Sequence, residues 1–393
     1  MPGIRIVGES VACESTVISE IEEGVTAAMK EVVEGLTRPL SPEEKSPKQK
    51  TGKTPRVAFK GSLQEVNQFF YRKGWGDGLP IIPPTEEAVA EMLTGTDLPP
   101  DHIVAKIIPR NGKATIEKIA INAVMAGALP THMPVLIATV QAFADPKSRF
   151  DTFEVSTGSW APSLTINGRI RRDIDISCSS GALSPGNIAN SAIGRAVGLI
   201  VKNIGGARKA IEDMGVIGNP GKYSLVIGED EEASPWEPLS VERGFTKEDN
   251  TLTVFFPNTF IQTVPGGTDA KGILDTLVRM GTTSMSSVIL IPSWAKVLSR
   301  EGYTKQDVKE YIAAHSKAVE IAGFPNTANP AKMDTDNLII LVAGGPGSFI
   351  GLLKSVGPGF FENALVTKKI ELPKNWDKLV AKYRNLKPVY EKY

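Results

Sequence analysis

Cysteine is nearly absent: Cys13 and Cys178 are the only two in 393 residues. One disulfide is arithmetically available, yet two cysteines in a chain of this size read as a reduced, intracellular protein. Histidine is as scarce. His102, His132 and His315 lie far apart with no HxH or HxxxH spacing, and neither cysteine stands in a CxxC, so no metal site is read from the sequence. An excess of one charge is missing too: 44 basic residues balance 44 acidic ones, which removes the field that would recruit nucleic acid or an anionic membrane. No apolar run approaches the roughly 20 residues of a membrane helix, and the start "MPGIRIVGES" has neither the basic cluster nor the apolar stretch of a signal peptide. The expected location is cytoplasmic.

What is present is an ordinary globular balance, 41% apolar and 22% charged, in a chain long enough for a large core. Residues 38–56, "RPLSPEEKSPKQKTGKTPR", carry almost nothing apolar and cannot offset their ordering entropy by burial. They read as a linker. Residues 1–55 are therefore an N-terminal arm and docking segment, with a helix over 18–36. Residues 56–393 are the main body, with a point of subdivision near 245–265. The body is expected to be α/β (mixed α+β): a glycine-rich central region with a mixed sheet flanked by helices.

Within the body, Ser62 and Glu65 spell a capping box and Thr85 an N-cap. Strands are predicted at 56–61, 103–108, 222–228, 251–256, 287–291 and 338–343. Apolar positions Ile116, Ile119, Ala120, Ala123 and Val124 recur with helical period. Further helices are predicted at 134–144, 187–206 (capped by Asn187), 270–280, 304–317 and 375–384. No internal repeat is visible.

The stretch "KGWGDGLPIIPPT", residues 73–85, sets Trp75 and Asp77 among glycines and then stiffens the chain with Pro80, Pro83 and Pro84. Asp77 fits two roles: an Asx turn onto its own backbone, or an acid, base or anchor on the wall of a site. The run "INGRIRRDIDISCSSGALSPGNIAN", 166–190, gathers Arg169, Arg171 and Arg172 ahead of Cys178, Ser179, Ser180 and the helix start at Asn187. Guanidinium groups, small hydroxyls and free helix amides make an oxyanion pocket. A salt-bridged surface cluster reads equally from the same residues. Cys178 is the candidate nucleophile, although nothing nearby supplies its base. In "NIGGARKAIEDMGVIGNPGKY", 203–223, Asn219, Lys222 and Tyr223 stand among loop glycines, Tyr223 as a candidate acid. Glu229–Glu232 read as a solvated acidic loop in preference to a hard-metal patch. "VAGGPGSF", 342–349, follows a strand but lacks the spacing of a nucleotide loop.

"FFYRKGWGDGLPIIPPTEEAV", "KIAINAVMAGALP", "NIGGARKAIEDMGVIGNPGKY" and "EDEEASPWEPLSVERGF" occur in one order that resembles a bacterial family. Its members accompany, or are fused to, a UGSC domain, a thiol or selenol domain named for its selenocysteine-Gly-Ser-Cys motif. The resemblance covers about residues 56–350, and residues 1–45 are similar to the segment that joins the two parts in fused members. This chain contains no UGSC or CGSC; its nearest phrase, "SCSSG" at 177–181, differs in order and place.

The resemblance implies that the redox domain is a separate subunit carrying the reactive selenocysteine or cysteine, in a hetero-oligomer of anaerobic metabolism. The UGSC motif is itself similar to the selenocysteine region of glycine and betaine reductases, which implies reductive cleavage of a bond to carbon. On that reading the present chain is an oxidoreductase subunit that binds a small anionic substrate and holds no cofactor of its own. Asp77 would be its proton donor or anchor, Arg169, Arg171, Arg172 and the helix amides near Asn187 its anion site, and Asn219, Lys222 and Tyr223 its pocket lining. Two alternatives stand beside it: a self-sufficient lyase or hydrolase using Asp77, and a non-catalytic scaffold whose arm docks an enzyme.

Overall fold

The computed structural model describes residues 5, 7–8, 17–46, 55–281, 286–316, 335–355, 364–384 and 386. Cys13 lies outside them. Contacts divide the chain into Met1–Lys60 and Gly61–Tyr393, against an expected boundary after residue 55.

In the first unit, α1 spans Ile18–Thr37. Arg5 ties the start of the unit to its end: the guanidinium donates to Gly35 O at 2.6 Å, to Arg38 O at 2.7 Å and to the Glu44 carboxylate at 3.0 Å. Ser41 and Glu44 close a capping box over a single helical turn, Pro42–Lys45, within the segment read as linker. Residues 3–8, "GIRIVG", read from the sequence as a short strand, but the described ones, Arg5, Val7 and Gly8, form none.

The second unit opens with α2 (Leu63–Arg72), capped by Ser62 and Glu65 as expected, and α3 (Glu86–Leu93), capped by Thr85. Strands β1 (Ile103–Ile107) and β2 (Gly112–Thr115) form an antiparallel pair. Helices α4 (Ile116–Ala126) and α5 (Met133–Ala144) follow, then β3 (Ser163–Asn167), α6 (Ile188–Ile200) and β4 (Val226–Gly228). Next come β5 (Thr251–Phe255), β6 (Thr259–Thr263), α7 (Ala270–Arg279), β7 (Ser286–Leu290), α8 (Pro292–Arg300) and α9 (Lys305–His315). Strands β8 (Leu338–Val342), β9 (Ile350–Lys354) and β10 (Val366–Lys369) and helix α10 (Trp376–Tyr383) complete it. Among the described residues no helix is long and apolar enough to cross a membrane.

The fold is mixed α/β, and it repeats itself in a way the residues do not advertise. One four-stranded sheet runs β10-β5-β3-β4 and the other β6-β9-β7-β8. In each, the central strand pairs in parallel with the next strand of the chain and antiparallel with the one after. The fourth strand of each run is exchanged: β6 leaves β5 to pair with β9, and β10 leaves β9 to pair with β5. The region near 245–265 is thus where the chain passes from one sheet to the other, inside a single unit.

Alternation along the strands builds four layers. Leu164, Ile166, Leu252 and Val254 face the core shared with α4, α5 and α6, whereas Val288, Leu290, Ile340 and Val342 face that of α7, α8 and α9. Ile227, Phe255, Ile289, Leu341 and Leu353 fill the space between the sheets. The strand ends are stitched there, Asp230 N–H to Val342 O at 2.7 Å and Gly344 N–H to Cys178 O at 2.9 Å.

Three local expectations are corrected. Residues 56–61 form no strand: they join no ladder of the three sheets and stay largely exposed. The strand read at 222–228 shrinks to β4 because Pro220–Lys222 make a 3₁₀ turn. Asn187 stands at the start of α6, but its side chain does not cap the helix.

Candidate functional site

Glycine and proline make the 74–85 bracket rigid, and α6 decides where it sits. Asp77 accepts from Leu79 N–H at 3.2 Å, the Asx turn. It also accepts both arms of Arg195, Nε at 2.7 Å and Nη2 at 2.9 Å. Arg195 Nη2 donates as well to Pro80 O, Lys202 to Gly76 O, and Asn203 to Trp75 O. Burial by itself would raise the Asp77 pKa, but the Arg195 hydrogen bonds and charge and the Leu79 amide outweigh it and hold the carboxyl below its ordinary value. Asp77 is therefore a fixed carboxylate that anchors the bracket and is unsuited to donating a proton at neutral pH. Trp75 packs edge-on against Phe69 and Phe70.

The three arginines part company. Arg169 pairs at the surface with Asp173 and Asp377. Arg171 is 2% exposed, and its donors are taken: Gly168 O at 3.1 Å, Glu229 O at 2.7 Å, Glu231 at 3.0 Å and Glu232 at 3.1 Å. It cannot also hold a substrate anion. The acidic run read as a solvated loop is thus the counter-charge of a buried arginine. Glu229 is fully buried, and its carboxylate accepts from Asn167, Leu239 N–H and the Lys305 ammonium. Lys305 reaches Glu242 at 2.6 Å as well. Burial would lower its pKa, but the two glutamates more than reverse this and keep it an ammonium.

Cys178 is a free, half-buried thiol, whose pKa is raised by burial and then by Asp230. It is a poor nucleophile in this state. Ser179 and Ser180 are exposed, the latter against Gly345.

The 203–223 loop gathers different chemistry. Asn219 is spent on its own turn, accepting from Gly221 N–H and donating to Ser159 O, and Lys222 pairs with both Asp213 oxygens at 2.6 Å. Tyr223 is about half exposed. Near the Lys222–Asp213 pair lies Glu154, which no motif signalled. It is 7% exposed and neither carboxyl oxygen has a hydrogen-bond partner. Burial, and then the charge of Asp213, raise its pKa to about 8. Glu154 is a neutral acid at pH 7.

The start of α6, where the sequence suggested an oxyanion pocket, presents unpaired donors from a changed cast. The Asn187 side chain donates to Asp175, which leaves the first amides of α6 uncapped; those of Ile188, Ala189 and Asn190 have no acceptor among the described residues. Ile188 and Ala189 border a cavity of about 340 Å³ whose lining includes Arg172, Arg384, His132, Asp173 and Asp175. His132 is 1% exposed and accepts the Leu129 N–H on Nδ1 at 3.1 Å, so its proton sits on Nε2, for which the described residues offer no acceptor. Burial presses its pKa down to about 3, so the ring is a neutral donor. Among the described residues Arg384 has no acid partner, and Arg172 has only Glu232 at 3.5 Å.

Asp77, Arg169, Arg171, Cys178, Asn219, Lys222 and Tyr223 are absent from this lining, so the structure does not bring Asp77 and the arginine cluster around one hollow. Glu154 does not share it either. It lies beyond the far end of α5 from His132, and a helix of 12 residues spans about 18 Å. Arg195 had a legible signal, as the lone charge in a helix otherwise without one. His132, Arg384 and Glu154 had none. No group of three or more metal-ligating side chains is placed for a metal among the described residues. Compared with protein-family models, with curated proteins and with solved structures, the chain matches none.

Proposed function

We propose that the chain is the substrate-binding subunit of a heteromeric, thiol- or selenol-dependent reductase. It acts in the cytoplasm on a small anionic organic substrate, with the reactive sulfur or selenium on a separate UGSC-type subunit. The observation that carries this reading is the cavity at the start of α6. Uncapped helix amides, the His132 Nε2–H and the guanidinium groups of Arg172 and Arg384 converge there as donors without protein acceptors of matching number. The two carboxylates of the lining are partly engaged elsewhere, Asp173 Oδ2 by Arg169 and the Trp376 indole N–H and Asp175 Oδ2 by the Asn187 amide. Cys178, kept as a thiol by burial, supports delivery of the nucleophile by a partner.

The test is to purify the full chain with a UGSC-type subunit and assay thiol-dependent turnover of small carboxylates. Arg172→Gln and Arg384→Gln should each raise KM about tenfold with kcat little changed, as expected for a lost charged hydrogen bond in binding. Turnover by the lone chain after thiol alkylation would remove the partner from the reading.

One observation favours a second reading. Glu154, protonated near neutrality, would serve a self-sufficient lyase or hydrolase as the general acid in place of Asp77. Activity that survives alkylation but is lost in Glu154→Gln would select it.

A further inference from the structure

A second cavity, of about 610 Å³, opens on the opposite sheet from α6, among the 236–243 segment, α9 and β8. It falls in the size range of small-molecule sites. One wall is apolar: Leu239, Leu338, Ile339 and Leu365 are all buried, and Trp236 is fixed beside them by its indole N–H to Tyr303 O at 3.0 Å. The other wall is charged and almost closed to solvent, with Lys305 at 6% and Lys309 at 7% exposure.

The hydrogen-bond capacity left on that wall is one-sided. Both Glu242 oxygens are occupied, by Lys305 at 2.6 Å and by Lys309 at 2.8 Å. Both Glu229 oxygens are occupied as well, by Lys305, Asn167 and the Leu239 amide. An ammonium has three N–H groups, and among the described residues Lys309 uses one. Arg243 donates once, to Asp336 O at 3.0 Å, and its remaining N–H groups have no acceptor among the described residues. The acceptors are saturated and the donors are not. A buried donor such as Lys309 is costly to leave unmade, and Arg243 is partly covered beside it. Glu237 and Asp336 stand on the rim and repel anions of higher charge.

We infer that this cavity is a binding site for a monocarboxylic acid with an apolar body, its carboxylate on Lys309 and Arg243 and its body against Trp236 and the leucines. This site is separate from the cavity at α6 and stands or falls apart from the reading built on that one.

The test titrates the full chain with octanoate, octanol and inorganic phosphate, by calorimetry and tryptophan fluorescence, with Trp236→Phe to assign the optical signal. Octanoate is expected to saturate one site and to bind at least about tenfold more tightly than octanol or phosphate, the increment of a charged hydrogen bond. Lys309→Met and Arg243→Gln should each weaken octanoate about tenfold, while Arg384→Gln leaves it unchanged. Should Lys309→Met fail to fold, Arg243→Gln decides alone. Octanol binding as tightly as octanoate, no octanoate binding, octanoate binding lost in Arg384→Gln, or wild-type affinity in Arg243→Gln would each overturn the inference.

Discussion

The carboxylate of Asp77 receives both arms of the Arg195 guanidinium, at 2.7 and 2.9 Å, across 118 residues of chain. Both side chains are more than four-fifths covered. The bracket that looked like a site wall is therefore clamped to α6. Asp77→Asn should destabilise the fold by about 1–3 kcal/mol, read from the urea midpoint at unchanged slope, because it leaves a partly buried guanidinium without its counter-charge. Pairing it with Arg195→Met should recover part of the loss. An unchanged midpoint in Asp77→Asn would show the clamp to be idle.

Glu154 gives the stability curve a definite slope. Its carboxyl ionises near 4.5 when unfolded but near 8 when folded. Between those values the native state holds a proton that the unfolded state has lost. Stability therefore falls as pH rises from about 4.5 to about 8, at on the order of 1.4 kcal/mol per unit, and levels off above. Glu154→Gln should cancel that fall, so the melting temperatures of the two proteins diverge from pH 5 to pH 8. Parallel curves would contradict the burial assigned to this group.

His132 acts with the opposite sign. Its folded pKa of about 3 lies below the ordinary 6.5, so the unfolded state binds the extra proton in between. Stability is gained as pH rises through that window and lost on acidification. Acid unfolding of His132→Gln should begin at lower pH than that of the parent.

The Lys305–Glu229 pair sits at 6% and 0% side-chain exposure. Lys305→Met strands a buried carboxylate and should cost about 3–5 kcal/mol, whereas Lys305→Met with Glu229→Gln should cost clearly less. Equal losses in the single and double variants would mean that packing, not charge, holds this region.

Close approach stitches the sheet ends. A Cβ on Gly345 would fall 1.8 Å from the Ser180 Oγ. Gly345→Ala should destabilise by about 1–3 kcal/mol, as overpacking does, and Ser180→Gly should rescue it. Absence of rescue would place the strain elsewhere.

Local signals were the legible part of this protein. Ser62 with Glu65, and Thr85, each cap the helix they precede, because capping needs only a side chain and an amide three residues away. The period of Ile116, Ile119 and Ala123 likewise required nothing beyond its own helix. Asn187 broke the pattern because Asp175 competes for its side chain. Charge runs misled for the same reason: "RIRR" read as an anion pocket or a surface cluster and "EDEE" as a solvated loop, and only their meeting makes both Arg171 and Glu229 interior.

Residue order alone therefore determined where the capped helices begin, which strands carry an apolar face, and that the 74–85 turn is stiffened by glycine and proline. The tertiary structure decided the exchange of β6 and β10 between the sheets, the clamp on Asp77, and the gathering of His132, Arg172 and Arg384 around the uncapped end of α6. The division follows from range. Caps and periodicity act within one or two helical turns, whereas a group's pKa, its partner and its access to a hollow depend on burial by residues far away in the chain.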